Sequence, residues 1–90
     1  MTASGTALLG IGTLVGSEAL IVVANNLDEA PGGHWPDTDT QVGVASIVPV
    51  MGIAGFLLGY FLLSADWGWY LMAGLSALGL AIVYFVYGIP

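Results

Sequence analysis

The sequence predicts an all-α integral membrane protein, with three transmembrane helices running up-down-up and a tight hairpin between the second and third. Three observations lead there. The 90 residues are 58% hydrophobic and only 7% charged, with a mean hydropathy of +0.96. The apolar residues gather into three stretches. Each is long enough, at 1.5 Å per helical residue, to cross a hydrocarbon layer ~30 Å thick. No lysine or arginine interrupts any of them. We read residues 1–90 as a single transmembrane domain, with helices at about 4–24, 41–64 and 67–89 and an acidic loop over 25–40.

The first stretch contains "TALLGIGTLVGSEALIVVA". A secretory signal is its rival, since Val22 and Ala24 have the spacing of a cleavage site. A signal would carry a basic leading segment, and this one has none, so we expect a retained helix.

Residues 25–40, "NNLDEAPGGHWPDTDT", hold two prolines, two glycines and four acids. That composition belongs in a loop at the membrane surface. His34, Asp37 and Asp39 invite a metal reading. A loop with one histidine lacks a preorganised ligand set, so a solvated loop is the plainer expectation. Trp35 and His34 are candidates for docking on a neighbour, because aromatic anchors serve well at contacts.

The second stretch, "QVGVASIVPVMGIAGFLLGYFLLS", contains Pro49. Proline removes one backbone hydrogen bond and kinks a helix, so Pro49 is the expected hinge. "SADW" then leaves room only for a tight turn, with Ser64 or Asp66 to cap the next helix. The third stretch is "WGWYLMAGLSALGLAIVYFVYGI". Tyr60, Phe61, Trp67, Trp69 and Tyr70 gather around the tight turn. Tyr84, Phe85 and Tyr87 fall at the opposite end with Trp35, giving two aromatic belts.

Small residues recur at helical spacing. Gly12 with Gly16, Gly55 with Gly59, and the row Ala73, Ala77 and Ala81 are expected to pack helices, since small side chains let backbones approach in lipid. The spacing leaves open whether the contact lies within the chain or with another.

Glu18 is the most telling residue. It lies more than a helical turn below the end of the first stretch, where an ionised carboxylate costs roughly 2.5–3.5 kcal/mol. The chain has no strong base to pair with it. Three solutions stand open: a protonated carboxyl, water or a polar pocket with Thr13, Ser17 and Asn25, or a cation from another chain.

Composition excludes several functions. With six acids and no lysine or arginine, the chain carries a formal charge of −6 and has nothing to grip phosphates, so nucleic acid is not an expected partner. It has no cysteine, which removes disulfides, thiolate metal sites and cysteine nucleophiles. No catalytic constellation is present, so we expect no enzyme. No cofactor is implied beyond membrane lipid. The acidic, lysine-free composition is compatible with a salt-loving organism.

The functional expectation is a small non-catalytic membrane subunit that packs onto a larger complex or onto copies of itself. The alternative is a homo-oligomeric channel or transporter in which Glu18 faces a proton or cation pathway. The expected location is a prokaryotic cytoplasmic membrane. The N-terminus would lie inside and the 25–40 loop outside, since no basic residue holds that loop in.

Overall fold

A computed structural model describes residues 3–27 and 38–88, and all their regular structure is helical. Helix α1 covers Ala3–Asn26, α2 Thr38–Ala45, α3 Ile47–Leu62 and α4 Ala65–Gly88. Among the described residues are three helices long and apolar enough to cross a membrane: Gly5–Asn26, Asp39–Leu62 and Ala65–Tyr87. The middle one passes through both α2 and α3.

The boundaries differ from the sequence reading at three points. Helix α1 keeps Asn25 and Asn26, which were assigned to the loop. The second span begins at Thr38 instead of 41, bringing Asp39 into the first turn of α2. A carboxylate there faces the positive end of the helix dipole, which favours starting early. The same span breaks at Ser46, not at the proline itself.

That break has a local cause. Pro49 has no N–H to give Ala45, four residues back, and its ring crowds that carbonyl. Helical bonding resumes on either side: Ser46 N–H donates to Val42 O at 2.9 Å and Val50 N–H to Ser46 O at 3.0 Å. Ser46 keeps right-handed helical angles, and its Oγ donates to Gly43 O at 2.8 Å. The result is one span, interrupted at Ser46, that lacks the rung from residue 49 to the Ala45 carbonyl.

Between α3 and α4 stand only Leu63 and Ser64. Both of their N–H groups donate to Gly59 O at 2.9 Å, satisfying the end of α3. Ser64 Oγ then accepts a long 3.5 Å bond from Trp67 N–H, starting α4.

Helix α4 sits at the centre, packed on α3 along one face and on α1 along another, while α1 and α3 touch little. The contacts give the directions. Gly59 lies against Trp67, Gly52 against Ser76, and Gly79 against Val48, so α3 and α4 run antiparallel. Gly10 meets Trp69 near the start of α4, and Ile21 joins Val83 near its end, so α1 runs alongside α4. The bundle measures 40 × 20 × 20 Å.

Its apolar core is small: Ile21, Val44, Val48 and Val83, with Leu14, Ile47 and Leu80 against them. Most large apolar side chains point outward instead, Leu8, Phe61 and Leu62 being 70–74% exposed. A water-soluble bundle of this size would hide that surface, whereas lipid would solvate it.

Candidate functional site: glycine faces and a buried carboxyl

The glycines divide into two populations. Those of the first occupy the helix seams. A Cβ on Gly55 would come within 2.6 Å of Leu71 O, and one on Gly59 within 2.6 Å of the Trp67 carbonyl carbon and 2.7 Å of Gly68 N. Backbone fills the space a side chain would need, so the α3–α4 seam depends on hydrogen at these positions. Gly52, Gly68 and Gly79 serve the same seam against Ser76, Phe56 and Val48, and Gly10 serves the α1–α4 seam against Trp69. Sequence spacing did not single out these last four. They fall among other residue types on their helices, and only the three-dimensional pairing reveals the row.

Gly12 and Gly16 belong to the second population: a Cβ there would meet nothing within 4 Å, as is also true of Gly43 and Gly74. On α1, the buried positions Thr6, Gly10, Ser17, Ile21 and Asn25 form the inward face. At 3.6 residues per turn, Gly12, Gly16 and Ala19 lie nearly opposite. The alanine row on α4 is also turned away from the bundle. Ala73 is half-buried, while Ala77 and Ala81 are exposed, in line with Gly74.

The aromatics cluster at the hairpin end. Phe56 packs on Trp69 with ring centroids 4.6 Å apart and on Tyr60 at 5.7 Å, and Trp67 meets Tyr70 edge-on at 5.7 Å. Tyr84, Phe85 and Tyr87 are exposed near the far end of α4.

Of the polar candidates on α1, Thr13 is satisfied on its own helix, donating from Oγ1 to Leu9 O at 2.7 Å. Ser17 is buried on the inward face. Both carboxyl oxygens of Glu18 are covered, and neither has a hydrogen-bond partner among the described residues. Ser76 Oγ on α4, wholly buried and not foreseen from sequence, is the other such group. A serine is too common in apolar helices to signal its own isolation.

Between α1 and α2 runs an open groove of about 200 Å³, lined by Ile21, Val22, Asn25 and Asn26 on one side and Gln41, Val42 and Ala45 on the other. Pro49 lies one turn beyond Ala45, whose carbonyl it deprives of a partner along the helix.

His34, Trp35 and Asp37 lie outside the described residues. Among the described residues, no group of three or more histidine and acidic side chains is placed to hold a metal ion. No family model, no curated protein and no solved structure matches this chain.

Proposed function

We propose that the chain is a small non-catalytic subunit of the membrane, crossing it three times in up-down-up order and associating laterally with other membrane-embedded chains or with copies of itself. One observation carries the reading: α1 turns Gly12 and Gly16 away from its own bundle, with open space above both. Two glycines four apart make a shallow notch in a helix surface. In lipid, where apolar side chains gain nothing from leaving the solvent, such notches favour association by letting a second backbone approach. The seam glycines are consumed inside the chain, and these two are not.

An open ion pathway receives less support. A pathway carboxylate would face water, whereas the oxygens of Glu18 are covered by protein. The orientation that fits the charges puts the N-terminus inside and the acidic segment between α1 and α2 outside.

Native mass spectrometry of the gently solubilised protein tests the proposal. The expected spectrum shows more than one polypeptide per particle, either copies or different chains. Gly16→Leu, whose Cβ meets nothing within 4 Å among the described residues, should release single chains while leaving helical content unchanged. A wild-type spectrum of single chains only, under the mildest solubilisation, would defeat the proposal.

A further inference from the structure

The groove between α1 and α2 is graded in polarity. Val22, Val42 and Ala45 form its deeper walls, and three carboxamides, Asn25, Asn26 and Gln41, gather at its outer end. The grading has a direction, because the first span-length helix ends at Asn26 and the second begins at Asp39. The carboxamides therefore stand in the outermost turns of both helices, with the apolar walls about a turn further in. In a bilayer, that is the level at which headgroups give way to hydrocarbon.

Size and charge decide what fits. One turn of a helix with its side chains fills on the order of 400–600 Å³. The groove holds about 200 Å³, so it has room for a stretch of hydrocarbon chain but not for a second helix. A carboxamide offers two N–H donors and an acceptor oxygen. Asn25 and Gln41 already interact with other groups, and each retains capacity beyond one bond. Uncharged donors suit the oxygen atoms where a lipid's chains join its head. The chain has no lysine or arginine to hold a phosphate, and the exposed Asp39 stands one turn before Val42 on α2. A head with net negative charge is repelled there, whereas one that carries a cation beside its phosphate is not.

We propose that the groove binds one chain of a zwitterionic lipid, its tail against Val22, Val42 and Ala45 and its cationic head toward Asp39. The proposal rests on the reading that the chain crosses a membrane, and it is independent of lateral assembly.

Two photoreactive lipids test it, a phosphatidylcholine and a phosphatidylglycerol with the same diazirine near the head of one chain. Each is added in trace to vesicles of equal parts phosphatidylcholine and phosphatidylglycerol that hold the full-length protein. Mass spectrometry of the illuminated protein should place adducts over residues 21–26 and 41–45. The choline probe should label there about fivefold more than the glycerol probe, the factor one unit charge supplies at contact distance in water. Asp39→Asn should bring that ratio close to one while labelling persists. Ala45→Phe, which fills the groove, should remove these adducts and spare those near Phe85, which is 71% exposed at the far end of α4. Circular dichroism checks that the helices of both variants are intact. Groove labelling no stronger than that near Phe85, or a ratio that Asp39→Asn leaves unchanged, would overturn the proposal. So would adducts that Ala45→Phe does not remove, or a groove protected from both probes by a second polypeptide. Loss of the protein from the vesicles on alkaline washing would overturn the membrane reading itself, and this proposal with it.

Discussion

Replacing Gly59 by alanine adds one methyl group, and its cost can be worked from the seam it enters. The new Cβ would press first on the Trp67 carbonyl oxygen and lie 2.6 Å from its carbon and 2.7 Å from Gly68 N, where ordinary contact begins at 3.4 Å, so α3 and α4 must part by about 1 Å. The obstructing atoms are backbone, which cannot swing aside as a side chain does. Overpacking of this kind costs about 1–3 kcal/mol. Alanine returns up to about 1 kcal/mol through its better helix propensity. Parting the helices also loosens Gly55 and Gly68 in the same seam, so we expect Gly59→Ala to lose about 1–2 kcal/mol net. Gly12→Ala is the matched control, gaining the same propensity with nothing within 4 Å to obstruct it. Unfolding in mixed micelles of rising dodecyl sulfate content, followed by tryptophan fluorescence, compares them, since Trp67 and Trp69 flank the seam. Gly59→Ala should unfold at clearly lower sulfate fraction than wild type, and Gly12→Ala at the same or higher. Equal midpoints for the two variants would refute the seam as described.

Two further outcomes are expected, one from the fold and one from the proposed orientation. Pro49→Ala should restore the rung from residue 49 to the Ala45 carbonyl, and amide exchange over 45–50 should slow at least tenfold as the helix becomes continuous. In cells, cysteine at Thr38 should react with a membrane-impermeant thiol reagent from outside and cysteine at Ala65 should not. The reverse pattern would invert the orientation and leave the bundle intact.

The three span-length helices were legible because each is a run of some twenty apolar residues, the length a bilayer would require, set off by polar turns. The hairpin was legible because "SAD" leaves no room for anything else. The early start of the second span was not. Gln41 looks like a boundary by hydropathy, but the helix begins where Asp39 can meet its dipole. The bend was assigned to Pro49, yet the irregularity falls at Ser46, because proline acts on the carbonyl four residues before it. Small-residue spacing flagged Gly12 with Gly16 and Gly55 with Gly59 as if they were equivalent. One pair faces out and the other in, and no one-dimensional pattern separates them, since both satisfy the same spacing. Glu18 stood out as a lone acid, whereas Ser76 became visible only once α4 was seen at the centre of the bundle with that hydroxyl buried.

Site-directed photo-crosslinking in native membranes asks whether α1 presents its outer face to another protein, as proposed. The chain has no cysteine of its own, so a single one can carry a thiol-linked photoreactive group. Leu20, beside Gly16 on the outer face of α1, and Leu57, on the outer face of α3, are 58% and 47% exposed, so neither substitution disturbs a seam. On illumination, the probe at Leu20→Cys should join the chain to a second polypeptide, identified by mass spectrometry as a copy or a different subunit. The probe at Leu57→Cys should capture lipid. If both positions capture lipid alone, α1 faces the bilayer and the chain does not assemble through it.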